Sequence, residues 1–216
     1  MKAKDHKAAR RDEYCLVLSG GGAKGIYHVG VWKALKKLGI EINAVIGNSI
    51  GAIIAGFLVQ GEDFALEEIA GKIGLDFILK VPDELIQDGE LKVARTKLPT
   101  LRLFYRDFLE RKGLDTTPLR KLLLKHLDED KIRGAGKDLG VVTFNLTEMK
   151  SEEVFVDEMP AGTLIDYLMA SAAFPGFERP RILGKNYVDG GVYDNMPYGM
   201  ARRRGYRRII IVDIAG

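Results

Sequence analysis

Residues 42–59 read INAVIGNSIGAIIAGFLV. Two apolar runs flank a serine bracketed by glycines. The first run, Ile42 to Ile46, has the length and composition of a buried strand. The second, Ile50 to Val59, is apolar almost all round and ends before Gly61, which predicts a helix packed on several sides. Between them, Gly47-Asn48-Ser49-Ile50-Gly51 is G-x-S-x-G at a strand-to-helix junction, the context that a nucleophile elbow requires.

Upstream, Tyr14 to Leu18 reads as another short buried strand. It is followed by the glycine-rich loop Gly20-Gly21-Gly22-Ala23-Lys24-Gly25 and a helix from Lys24 to Leu38 that carries Ile26, Val29, Val31, Leu35 and Leu38 and stops at Gly39. Strand, loop, helix, strand, turn, helix is the start of a three-layer α/β/α fold with a mostly parallel central sheet. Downstream, residues 62–140 change character to mixed charges, scattered aromatics and short amphipathic helices, and are read as a helical elaboration on that sheet. Leu98, Leu101, Phe104, Phe108 and Leu109 fall at helical spacing there, and Thr117-Pro118 opens a helix to about Leu127. Gly140 to Phe144 and Glu153 to Val156 read as strands, and Thr163-x-x-Asp166 resembles a capping box before a helix from Leu164 to Ala172. A short strand, Asn186 to Val188, then leads into Asp189-Gly190-Gly191. Pro197 starts a helix that Gly205 stops, and Ile209 to Ile214 returns to the sheet.

At 216 residues, the expectation is one domain over 14–216 behind a polar tail, 1–13. Hydrophobic residues are 46% and charged residues 29%, which excludes a disordered or collagen-like chain, and a net charge of +3 makes no case for nucleic acid. Tyr206 alone offers an aromatic ring among Arg202, Arg203, Arg204, Arg207 and Arg208, too few for a stacking surface. That cluster reads either as an anionic-headgroup contact or, more commonly for such runs, as a solvated face. The single cysteine, Cys15, lies in an apolar strand and demands no oxidising compartment. No signal peptide and no apolar stretch of about 20 residues is evident, so a cytoplasmic location is expected.

The glycine-rich loop admits three readings. A Walker A loop needs lysine and then serine or threonine after its last glycine, whereas Ile26 follows Gly25. A dinucleotide loop needs an acidic residue at the end of the second strand, and Glu41 lies before that strand. The third reading joins the loop to the elbow: Gly47 and Gly51 spare the turn from Cβ clashes, Ser49 is pushed into the open, and the amides of Gly20, Gly21 and Gly22 are offered to an oxyanion. A hydroxyl nucleophile also needs a base. The chain has three histidines, and none suits a late triad position: His6 is in the tail, His28 is read as packed beneath the loop, and His126 as a surface residue. Asp189, ending a strand before two glycines, is the remaining candidate. Ser171, among Ala170, Ala172 and Ala173, is read as a tight packing position.

The ordered set Gly20-Gly21-Gly22-x-x-Gly25, Gly47-x-Ser49-x-Gly51, Ala170 to Pro175, Asp189-Gly190-Gly191 and Asn195-x-Pro197 resembles the patatin-like phospholipase family over roughly Leu16 to Asp213. The resemblance implies a Ser49–Asp189 dyad without histidine, an oxyanion hole in the glycine loop, and hydrolysis of acyl esters in phospholipids, lysophospholipids or related lipids. It implies neither metal nor cofactor, and a lipid substrate, at a membrane surface or free of one, as the partner. Family members continue with further helices where this chain ends. A dinucleotide-binding oxidoreductase and a catalytically silent lipid-binding protein of the same fold remain the alternatives at this point.

Overall fold

The computed structural model describes residues 12–62 and 113–214, with Leu66, Lys80, Arg106 and Glu110 and the pairing of 86–87 with 90–91. The helical spacing read over Leu98 to Leu109 lies outside the described residues. Within the stretch read as helical, β3 (Ile86–Gln87) pairs antiparallel with β4 (Glu90–Leu91). The dipeptide between them in the sequence, Asp88-Gly89, is one that two-residue hairpin loops favour.

The central strands are β1 (Tyr14–Leu18), β2 (Ile42–Asn48), β5 (Asp138–Asn145) and β9 (Arg208–Val212), which run parallel in the order β9-β1-β2-β5. From β5 outward the sheet turns antiparallel, with β6 (Lys150–Phe155) and β8 (Lys185–Asp189) on β5, and β7 (Arg181–Ile182) on β8. Alternation along β1 sorts the core into two layers. Leu16 and Leu18 pack with α1 (Ile26–Lys37), α2 (Ile50–Gln60) and α5 (Leu164–Ser171), through residues such as Trp32, Phe57 and Leu168. Cys15 and Val17 face the other way, onto Met200 and Ala201 of α6 (Tyr198–Arg204) and Tyr206. Each fully buried Leu, Ile or Phe contributes roughly 1.5–3 kcal/mol, and nine residues of α2 are buried. That explains a helix with no polar face.

Several boundaries move. The helix expected from Lys24 begins at Ile26, behind a 3-10 turn over Gly22–Gly25. Strand β2 runs two residues past its expected end, because Gly47 and Asn48 continue the ladder against Val141 and Val142; tertiary pairing overrides their low strand propensity. The capping box does not form. The Thr163 hydroxyl donates to the Pro160 carbonyl at 2.6 Å, and Asp166 pairs with Arg120 of α3 (Thr117–His126) at 2.6 Å. The Gly162 and Leu164 N–H groups are accepted instead by Glu129, at 2.9 and 3.1 Å, from the neighbouring helix α4 (Glu129–Gly134). Three of the five clustered arginines enter structural pairs. Arg204 lies 4.2 Å over the Phe155 ring and bonds Asp138 and Asp157, Arg203 pairs with Glu153, and Arg208 lies 5.5 Å from the Tyr14 ring.

Candidate active site

Strand β5 brings the separate motifs together. One of its edges is covered by β6 from Gly140 through Asn145, so β2 and β8 share the other edge. Strand β2 occupies it up to the pair Asn48↔Val142, and β8, running the opposite way, occupies it from Thr143↔Asp189. The C-terminal ends of the two strands therefore meet head-on. Ser49 follows directly after one of them, and Asp189 is the last residue of the other.

Ser49 has φ 55° and ψ −127°, a conformation that costs a non-glycine residue of order 1–3 kcal/mol and persists only where the surroundings impose it. Here they do. A Cβ at Gly47 would lie 2.3 Å from the Gly51 backbone, and one at Gly51 would lie 2.5 Å from the Leu18 carbonyl oxygen. The turn is thus compressed between β1 and the first turn of α2. The Ser49 N–H donates to Ser171 Oγ at 2.9 Å, so the hydroxyl read as a packing position also anchors the elbow.

Asp189 is 5% exposed. Burial raises its proton affinity above the ordinary carboxylate value, opposed by the nearby Ser49 hydroxyl and by hydrogen bonds from the Gly191 N–H and the Asn48 amide. The Gly191 and Asn48 bonds are 2.8 and 3.2 Å long. Both donors are neutral. The arrangement suits a carboxylate that accepts a proton from Ser49 and later returns it.

The glycine loop needs a correction. The Gly20 N–H donates to Asn195 Oδ1 at 3.0 Å and is engaged within the protein, so it does not face an oxyanion as expected. The amides of Gly21 and Gly22 have no hydrogen-bond partner among the described residues. At Gly21 a Cβ would lie 2.6 Å from Ile214 Cγ1, and Gly22 takes a φ of 57°. The loop is held from beneath: Ser19 is buried, its Oγ accepts from the Ile214 N–H at 2.9 Å, and its carbonyl accepts from His28 Nε2 at 2.9 Å. Burial lowers the His28 pKa, which fits a neutral ring beneath the loop.

These groups form the polar end of a cavity of about 610 Å³. Its remaining walls are mostly apolar: Ile50, Ile53, Ile54 and Phe57 form a stripe along α2 at i, i+3, i+4 and i+7, faced by Leu119 and Leu122 of α3. At the mouth, Phe174 and Val192 line the cavity while staying 62% and 59% exposed. Neither His28 nor His126 lines it, and His126 is half-buried with its ring 6.5 Å from that of Phe57. No carboxylate ends β2 to hold a ribose, and Glu41 is exposed ahead of that strand. The dinucleotide reading therefore loses its footing.

Of the residues singled out in the sequence, Ser49, Asp189, Gly20, Gly21 and Gly22 all line the cavity, and Gly47 and Gly51 brace the elbow behind them. The motif reading missed Asn48, Asn195 and Ser171 as contact makers. Asn48 had a signal: with Ser49 it is one of two polar side chains in the run from Val45 to Ile54.

A family model described as "Patatin-like phospholipase" matches residues 16–202. Among curated proteins, "Probable lipid hydrolase 463L" of Invertebrate iridescent virus 6 is 28% identical over 188 residues, covering 86% of this chain and 62% of its own length. "Lysophospholipase NTE1" of Lodderomyces elongisporus is 28% identical over 200 residues, covering 92% of this chain and 12% of its own length. The chain thus spans less than two thirds of the length of these relatives. Among solved structures, VipD from Legionella pneumophila shares the fold with a TM-score of 0.61 at 19% identity, over 92% of this chain and 49% of that one.

Proposed function

The chain belongs to the patatin-like phospholipase family, and from that premise we propose that it is a lipid acyl hydrolase working through Ser49 and Asp189. In this reading Ser49 Oγ attacks the ester carbonyl carbon while Asp189 takes the hydroxyl proton. The Gly21 and Gly22 amides, with the positive N-terminal end of the 11-residue helix α2, stabilise the oxygen that becomes negative. Collapse of the tetrahedral intermediate breaks the C–O bond to the alcohol, which leaves with the proton from Asp189. Water then attacks the acyl-serine, gives its proton to Asp189, and releases the fatty acid as Ser49 recovers its hydrogen.

The observation that carries this reading is the strained Ser49 sharing the polar end of an apolar cavity with a buried Asp189 whose proton affinity is raised. The α2 stripe supports a single acyl chain lying along the helix, which favours glycerolipids and lysophospholipids over short polar esters. Exposed Phe174 and Val192 at the mouth support entry from a lipid surface, and the helical elaboration read over residues 62–140 is proposed to contribute to the same entrance. No helix among the described residues is long and apolar enough to cross a membrane. A cytoplasmic setting with docking at a membrane surface belongs to the same proposal, since Cys15 is buried and needs no oxidising partner. A fluorophosphonate probe tests the reading. Labelling that vanishes in Ser49→Ala is expected, and an unlabelled, folded wild-type protein would indicate a silent lipid binder.

A further inference from the structure

Asn195 Oδ1 accepts two hydrogen bonds, one from the Gly20 N–H at 3.0 Å and one from Asn48 Nδ2 at 3.0 Å. The second hydrogen of that Asn48 amide points to Asp189 Oδ1 at 3.2 Å. Only this orientation works. Flipping Asn48 would set its oxygen against two others, and flipping Asn195 would set its NH2 against two donors. The arrangement leaves Asn48 Oδ1 buried with no partner, a cost of about 1–3 kcal/mol for a polar group that packing alone gives no reason to keep.

The glycines of two motifs surround this pair. A Cβ at Gly20 would come within 2.6 Å of Asn195 Oδ1, one at Gly190 within 2.6 Å of Asn48 Oδ1, and one at Gly191 within 2.8 Å of Asn48 Nδ2. The space these glycines leave is filled by the two asparagines. We infer that Asn195 is a positioning residue, which through Gly20 holds the glycine loop and through Asn48 aims the Asp189 carboxylate at Ser49. The inference rests on the proposed Ser49–Asp189 chemistry and adds a strap that ties the loop, the elbow and the base into one unit.

The neighbours of Asp189 leave the strap in control of its environment. The groups acting on it are the Ser49 hydroxyl, the Gly191 N–H and the Asn48 amide, with no coulombic partner. The titratable groups nearby on packed elements are directed elsewhere, His28 to the Ser19 carbonyl and Asp194 to the Met196 N–H. Lys24, in the 3-10 turn of the loop, is exposed.

Steady-state hydrolysis of a soluble p-nitrophenyl ester across pH tests the inference, with folding checked by thermal melting. In Asn195→Leu, kcat is expected to fall roughly 10- to 100-fold, the scale of a small misplacement, with KM little changed. Its acid limb should move to higher pH, because an undirected Asn48 no longer stabilises the charged carboxylate. Asn195→Asp keeps the acceptor oxygen and should recover most of kcat on the alkaline plateau, with the limb higher still from the like charge. Wild-type kcat in folded Asn195→Leu, or a loss of kcat with an unmoved acid limb, overturns the inference. If Asn195→Leu does not fold, Asn195→Ala removes the same acceptor without bulk and carries the same expectations. Ser49→Ala measured in parallel separates the two levels: an active Ser49→Ala removes the dyad and the strap together, whereas an inactive Ser49→Ala beside a wild-type-like Asn195→Leu removes the strap alone.

Discussion

Two aspartates stand near opposite ends of β5, and their surroundings differ in kind. Asp138, the first residue of the strand, receives a two-pronged bond from Arg204 Nε and Nη2, each 3.1 Å long, and a third from the Tyr206 hydroxyl at 2.9 Å. Asp189, paired with Thr143 towards the other end, is buried without a cation and receives only neutral donors. A paired carboxylate is held charged and becomes part of the scaffold. An unpaired buried carboxylate keeps a raised proton affinity and can exchange a proton with a neighbour. The fold thus uses one residue type for support at one end of the strand and, in the proposed reaction, for proton transfer at the other.

The largest effect that would test this contrast is in Ser49→Ala, which should abolish hydrolysis of a p-nitrophenyl ester while the protein melts at or above the wild-type temperature, because alanine keeps the small volume of the elbow. Residual turnover near wild type would detach the strained serine from the reaction. Next, Asp189→Asn should cost roughly 10²–10⁴ in kcat, the range for losing a general acid–base group. Its stability should move the other way. Burial raises the Asp189 pKa above the ordinary carboxylate value, so the folded state binds the proton more tightly than the unfolded one. The charged form therefore destabilises the fold, by nothing below the unfolded value and increasingly as pH rises through the folded one. Asp189→Asn removes that cost at neutral pH, and a melting curve clearly below wild type there would contradict it. By the same sign, wild-type activity should fall as pH drops through the raised pKa, leaving an acid limb above the ordinary carboxylate range.

Gly21→Val should cost about 10²–10³ in rate, the scale of one lost oxyanion donor, because its Cβ meets Ile214 and the loop must shift. Normal activity in the folded variant would take the loop out of the mechanism. At the scaffold end, Asp138→Asn should lower stability by about 1–3 kcal/mol through the weakened Arg204 and Tyr206 bonds, read by urea denaturation, with kcat unchanged. A loss of rate without a loss of stability would erase the division between the two ends. The smallest effect belongs to His126→Gln, expected to stay within about twofold of wild type. A loss there as large as that of Asp189→Asn would demand a histidine-based triad.

The Asp189 side of this division is legible in the sequence, whereas the Asp138 side rests on Arg204 and Tyr206, 66 and 68 residues away. The apolar runs around Gly47 to Gly51 and Gly20 to Gly25 report the parallel strands and their helices, because burial on both faces demands continuous apolar residues. Asp189 stood out through two following glycines. The capping box at Thr163 misled because Glu129, on another helix, takes the same N–H groups. The Gly20 amide misled for a similar reason, its acceptor lying 175 residues away on Asn195.

The sequence by itself determined the strands and helices around the two glycine motifs and the elbow between β2 and α2, since each depends on backbone conformations and side-chain periodicities within a few residues. Tertiary structure alone decided which amides remain open, how Asn48 and Asn195 are oriented, and that Ser49 meets Asp189. The physical reason is register: the ends of β2 and β8 abut only because β5 pairs Val142 with Asn48 and Thr143 with Asp189 along one edge, and hydrogen bonds spanning 141 residues of chain leave no periodic trace in the residues between.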